Sequence, residues 1–65
     1  MKSEPCFYTW AYDRKLNIVE PVILVEFKGN RAFCVQIGVC ILHDFKDFSN
    51  YRLVHTKKEA EGFIK

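Results

Sequence analysis

The chain has 65 residues, the size of one small domain, and its 49% hydrophobic content excludes a disordered chain. Ten lysine and arginine residues against eight acidic residues give a net charge of +2, a smaller basic excess than most nucleic-acid-binding modules carry. The longest nearly uncharged run, residues 32–42, is about half as long as a membrane-spanning helix, so no membrane partner is expected.

The cysteines indicate a reducing compartment. There are three of them, Cys6, Cys34 and Cys40, so they cannot all pair within one chain. The residues before Cys6 contain no apolar stretch typical of a signal peptide. We therefore expect a cytoplasmic protein whose cysteines are reduced and pack as small apolar side chains.

The first predicted element is a strand over residues 6–12, because its side chains alternate between two faces. One face carries Cys6, Tyr8, Trp10 and Tyr12, and the other carries Phe7, Thr9 and Ala11. A charged turn, Asp13-Arg14-Lys15, follows, with Asn17 as a second turn residue.

A second strand is predicted over residues 18–28, with Pro21 at an edge or bulge because proline cannot donate to a ladder. Gly29-Asn30 then marks a hairpin turn. A two-residue loop would pair Phe27 with Ala32 and mix apolar with polar faces. An odd-length loop would pair Phe27 with Phe33, so we predict such a loop or a bulge beside the turn.

The third segment carries an almost unbroken apolar series at its odd positions, and Gly38 interrupts its even positions. The series is Phe33, Val35, Ile37, Val39, Ile41, His43 and Phe45. A glycine inside so long a strand is typical of a sharp bend, so we predict one highly curved strand. The alternative is two strands joined by a tight turn at Gly38.

The last part of the chain predicts a loop, a short strand and a helix. The loop covers residues 44–50 and the strand residues 51–55. Thr56 and Glu59 have the spacing of a capping box, which predicts a helix that begins after Thr56. Ala60, Phe63 and Ile64 then fall on one face, which we expect to dock on the sheet or to plug a barrel.

This succession of strands resembles small SH3-like barrels. We predict a single, mainly β domain over residues 1–65, either such a barrel or a strongly curved antiparallel sheet of about five strands, with a short C-terminal helix. The resemblance is architectural and carries over no functional residue.

Metal and catalytic sites are not predicted. Structural zinc prefers cysteine pairs separated by two to four residues, whereas Cys34 and Cys40 lie further apart. Cys40, His43 and Asp44 form the only compact set with nucleophilic chemistry, but strand alternation places the first two on opposite faces. We therefore expect no cofactor, no metal and no enzymatic activity.

Protein binding or self-association is the predicted function, as in small bacterial and phage accessory proteins. The first candidate surface is an aromatic loop containing Phe45, Phe48 and Tyr51, because aromatic side chains are favoured at interface hot spots. The second is an unpaired outer strand, which can accept a partner strand from another protein or from a second copy in a homodimer.

The alternative function is weak binding of single-stranded nucleic acid. Small barrels bind single strands with exposed aromatic rings for base stacking and with basic side chains for phosphates. The candidate residues for this function are Tyr8, Trp10, Tyr12, Arg14, Lys15, Lys28 and Arg31.

Overall fold

A computed structural model describes residues 7–65, which form five strands in one antiparallel sheet and one short helix. The elements are β1 (Phe7–Asp13), β2 (Ile18–Lys28), β3 (Arg31–Ile37), β4 (Cys40–Asp47), β5 (Tyr51–Val54) and α1 (Lys57–Glu61). Cys6, the first residue of the predicted first strand, lies outside the described residues. The prediction of a mainly β fold with five antiparallel strands and a C-terminal helix is confirmed.

The strand order is β4-β3-β2-β1-β5, so β2 lies at the centre of the sheet. Within residues 7–65, the outer strands β4 and β5 do not pair with each other, and the sheet is therefore open. The connection between these strands reaches back to the β2–β3 hairpin, where the amide of Phe48 donates to the carbonyl of Asn30 at 2.9 Å.

The predicted turn between the first two strands is confirmed, and the side chain of Asp13 organises it. Its Oδ1 accepts hydrogen bonds from the amides of Lys15 at 2.9 Å and Leu16 at 3.2 Å. The amide of Asn17 donates to the carbonyl of Asp13 at 2.7 Å, and Asn17 takes a positive φ of 55°. Asparagine tolerates this left-handed conformation better than most residues, which explains its position here.

The β2–β3 hairpin combines a two-residue loop with shifts of the strand register. Gly29 has a φ of 63° at the first loop position, as in type II′ turns. Lys28 therefore pairs with Arg31 and Phe27 with Ala32, so the odd-length loop was wrong. The pairing beside the turn is regular, and the register shifts lie further along, between Leu24 and Glu26 and between Ile23 and Leu24. The predicted pairing of Phe27 with Phe33 does not form.

Gly38 is part of a turn, so the single curved strand was wrong and the two-strand alternative is confirmed. Gly38 has a φ of 57°, and Ile37 pairs with Cys40 across the two-residue loop. The turn divides the odd apolar series between two environments, because Ile37 is buried whereas Val39 is 94% exposed. Alternation along one strand cannot continue through a reversal of the chain direction.

The apolar core is small and is centred on β2. Val22 and Leu24 are almost completely buried there, next to Ala11 of β1. The other members of the cluster are Ala32, Cys34, Ile37 and Phe48, with Tyr51 packed against them.

The helix docks on β1, β2 and β5, and its capping box is confirmed. The hydroxyl of Thr56 accepts from the amide of Glu59 at 3.2 Å, and the Glu59 carboxylate accepts from the amide of Thr56 at 3.1 Å. Ala60 is fully buried. Phe63 follows the helix and stacks on Tyr12 with ring centroids 5.6 Å apart, which extends the docking contact.

No helix within residues 7–65 combines the length and the apolar character needed to cross a membrane.

The substitution Leu24→Ala should lower the free energy of unfolding by about 2–5 kcal/mol, because it opens a cavity in the core. The matched change Leu16→Ala, at a side chain that is 63% exposed in the β1–β2 turn, should change it by less than about 0.5 kcal/mol. Urea unfolding followed by tryptophan fluorescence measures both. Equal stabilities of the two variants would contradict a core centred on Leu24.

Candidate interaction surfaces

The predicted aromatic loop does not form one exposed surface. Phe48 is buried in the core, and Tyr51 packs against it with ring centroids 5.1 Å apart. Phe45 instead contacts Phe33 at 5.9 Å, and the ammonium group of Lys28 lies 4.5 Å from the Phe45 ring centroid. The loop therefore contributes mainly to packing, and Phe48 offers almost no accessible area to a partner.

The hydroxyl of Tyr51 remains protonated over an extended pH range. Burial raises its pKa above the usual value of 10.0, and the nearby carboxylates of Asp13 and Glu20 raise it further. A raised pKa favours the neutral phenol, so any stability that it contributes is complete below pH 10 and is lost as the pH rises through the pKa of the folded state. At neutral pH Tyr51 is a hydrogen-bond donor and not a nucleophile.

The exposed fraction of the aromatic side chains proposed for base stacking decreases along β1 toward the β1–β2 turn. Tyr8 is 76% exposed, Trp10 is half-buried and Tyr12 is buried beneath Phe63. This gradient arises because the segment after the helix covers only the end of β1 nearest the turn. Tyr8 and Trp10 remain accessible to a ligand, whereas Tyr12 is covered by the ring of Phe63.

The basic residues proposed for phosphate contacts form two separate groups. Arg14 and Lys15 lie in the β1–β2 turn, and Lys28 and Arg31 flank the β2–β3 turn. These turns are at opposite ends of β2, the longest strand of the sheet. The seven candidate residues therefore do not make one continuous surface.

Cys34 and His43 are direct cross-strand neighbours between β3 and β4. The Cys34 thiol is buried and donates to the carbonyl of Gln36 at 3.0 Å, while Nε2 of His43 is buried without a hydrogen-bond partner among the described residues. Burial raises the pKa of the Cys34 thiol, which disfavours the reactive thiolate. Within residues 7–65, no three His, Cys, Asp or Glu side chains are arranged to hold a metal ion.

Exposed apolar side chains that were not among the predicted site residues lie in the β3–β4 turn and at the start of the outer strand β4. Val39, Ile41 and Leu42, which we call the β4 tip, are 94%, 69% and 66% exposed. Leu42 also has a positive φ of 61°, an unfavourable conformation for a residue with a large side chain. The turn at Gly38 was the available signal, since it places the following residues on an outer strand rather than in a continuous core strand.

Comparisons with protein-family models, with curated proteins and with solved structures gave no match to this chain.

Iodoacetamide should alkylate Cys40 roughly tenfold or more faster than Cys34, because Cys40 is exposed whereas Cys34 is buried with a raised pKa. The reaction is followed by mass spectrometry of the two cysteine-containing peptides, in a Cys6→Ser background that leaves these two thiols for comparison. Both rates should become equal in denaturant. Equal rates in the native protein would show that Cys34 is accessible.

Proposed function

We propose that the protein is a non-catalytic binding module that acts through protein–protein interaction at the β4 tip, with a second copy of the chain as its partner. The observation that supports this proposal is the exposure of three aliphatic side chains within four consecutive residues. Scattered exposed apolar residues are normal on a soluble protein, whereas three exposed aliphatic side chains this close together in the chain concentrate apolar area at one end of the outer strand β4, as is typical of interaction surfaces.

The position of the patch on an outer strand favours a partner that is itself a strand. Among residues 7–65, β4 pairs with β3 on one side only, so its other edge presents backbone amide and carbonyl groups there. The positive φ angles of Leu42 and Phe45 interrupt the regular strand conformation. Regular pairing with a partner would therefore be short, and the side chains of the β4 tip would supply most of the buried area.

The unusual backbone at Leu42 supports the same assignment. A residue other than glycine in the left-handed region costs roughly 1–2 kcal/mol. Because the Leu42 side chain is mostly exposed, its burial within one chain offsets little of this cost. Strained residues occur disproportionately at functional sites. Association would bury Leu42 and so offset the cost.

A second copy fits this surface because an outer strand can pair antiparallel with itself about a two-fold axis. Such an interface is isologous, so each β4 tip would contact the equivalent residues of its partner. The small core of a 65-residue chain is a further reason for association, since short chains bury a smaller fraction of their surface when they fold.

The finer fold that we propose is an SH3-like barrel, and the location that we propose is the cytoplasm. The strand order supports the barrel, because the short connection between β4 and β5 joins the two edges of the sheet. So does the ammonium group of Lys46 on β4, which lies 5.6 Å from the ring centroid of Tyr51 on β5. The free, exposed thiol of Cys40 suits a reducing compartment.

The substitution Ile41→Lys should weaken self-association strongly, because it places a charge at the centre of the β4 tip. The matched control is Leu16→Lys, which makes the same change at a side chain that is 63% exposed in the β1–β2 turn. Sedimentation equilibrium between about 10 μM and 1 mM should show a dimer for the wild type and the control, with association of Ile41→Lys at least about tenfold weaker.

Circular dichroism should show that both variants are folded, since substitutions at exposed positions change stability little. A wild-type chain that remains monomeric at about 1 mM would contradict self-association. An Ile41→Lys variant that associates as strongly as the wild type would assign the interface to another surface.

A further inference from the structure

A basic cleft lies where the β1–β2 turn, strand β5 and the segment after α1 meet. It has a volume of about 520 Å³, and its lining residues are Tyr12, Arg14, Asn17, Arg52, Phe63 and Lys65. A second depression of about 440 Å³ shares Arg14, Arg52 and Phe63 with it. The two arginines therefore border a continuous concave surface.

The charged side chains that line this basic cleft are all of one sign. Its lining contains two guanidinium groups and one ammonium group, with no carboxylate side chain among the described residues that form it. The nearest acidic residue in sequence to Arg14 is Asp13, which is buried, and its Oδ1 already accepts two amide hydrogen bonds from the turn. Concave surfaces lined by one sign of charge concentrate ligands of the opposite sign.

Both arginines are held in place by contacts that leave donors free. Arg14 uses Nη2 to donate to the carbonyl of Ser49 at 2.8 Å. The guanidinium of Arg52 lies with its Cζ 5.2 Å from the Phe63 ring centroid, and Phe63 in turn stacks on Tyr12. An arginine side chain carries five N–H donors, so each group retains donors for the oxygens of an anion.

Tyr12 and Arg52 are cross-strand partners, and Arg14 follows two residues after Tyr12. The backbone pairing continues to this point, since the amide of Arg14 donates to the carbonyl of Asn50 at 3.1 Å. Arg14 and Arg52 therefore occupy diagonal positions, which lie about 7–8 Å apart in an antiparallel pair.

Accessible aromatic side chains continue from the cleft along β1. Trp10 is paired with Val54, two residues along β5 from Arg52, and the ammonium group of Lys57 lies 5.6 Å from the Trp10 ring centroid. Tyr8 lies two residues before Trp10 on the same strand, further from the cleft, and is mostly exposed. Phosphate-binding groups followed by stacking rings are the arrangement used by proteins that bind single strands.

We propose that the basic cleft binds the phosphodiester backbone of a single-stranded nucleic acid, with Arg14 and Arg52 on the phosphates and with bases stacked on Trp10 and Tyr8. The accessible rings beside the cleft favour a nucleic acid over a phosphorylated peptide or a lipid headgroup, since neither of those supplies a series of bases. The β4 tip has no part in this site.

Fluorescence anisotropy with a labelled, mixed-sequence single-stranded oligonucleotide of about 12 nucleotides tests the proposal. For two or three phosphate contacts, the affinity of the wild type should fall about 7- to 18-fold between 50 and 200 mM salt. Arg52→Glu should weaken binding at 50 mM salt by at least about tenfold, because it replaces a phosphate contact with a repulsive charge.

Lys28→Glu is the matched control, because it makes the same change of charge at the opposite end of β2. It should weaken binding less than about threefold if the contacts are local to the cleft. Arg52→Lys preserves the charge without the planar fork and should bind more tightly than Arg52→Glu. Thermal unfolding of each variant shows whether it is folded.

Equal losses in Arg52→Glu and Lys28→Glu would overturn the proposal, because the attraction would then depend on net charge alone. Tighter binding of phosphatidylserine vesicles or of a phosphorylated peptide than of the oligonucleotide would also overturn it. Ile41→Lys should bind the oligonucleotide like the wild type. This result separates the basic cleft from the β4 tip, so that either proposal can fail without the other.

Discussion

Val22 and Leu24 are buried on a strand that pairs with β1 on one side and with β3 on the other, and this double pairing constrains the rest of the sheet. The β1–β2 pairing and the β2–β3 pairing must both leave Val22 and Leu24 facing the core. β1 pairs with β2 in a continuous register, whereas the pairing of β2 with β3 has a register shift on each side of Leu24. Such irregularities increase the local bend and twist of a strand pair. In the described part of the chain, β4 is attached to the sheet through β3.

The limited size of the core determines which apolar side chains remain exposed. A short chain has a high ratio of surface to volume, and a core centred on β2 has no room for side chains beyond the β3–β4 turn. Val39, Ile41 and Leu42 consequently lie outside it. At the other side of the sheet, the helix and the segment after it cover Tyr12, and the arginines around that segment face solvent. The fold thus separates exposed apolar side chains on one edge of the sheet from basic side chains on the other.

Local chemistry was the most predictable part of the structure. The capping box of Thr56 and Glu59 depends on residues three apart, so its residue types were sufficient to place the helix start. The turn at Asp13 and Asn17 was predictable for the same reason. Phe48 shows the limit of this reasoning, since an aromatic residue in a polar loop suits an exposed hot spot as well as a core lid. Its burial depends on the approach of the β2–β3 hairpin, which lies far away in sequence.

The sequence by itself determined the mainly β composition, the turns at Asp13 and Gly29 and the C-terminal helix, because alternation, turn chemistry and capping act over a few residues. It did not determine that β2 is the central strand, since Pro21 indicated an edge or a bulge. Only the tertiary structure decided the register between strands, since a shift of one residue exchanges the two faces of a strand at little local cost. It also decided both candidate surfaces. Ile41 became exposed because the chain reverses at Gly38, and Arg14 lies beside Arg52 because β1 pairs with β5. No local pattern encodes a contact between residues so far apart in the chain.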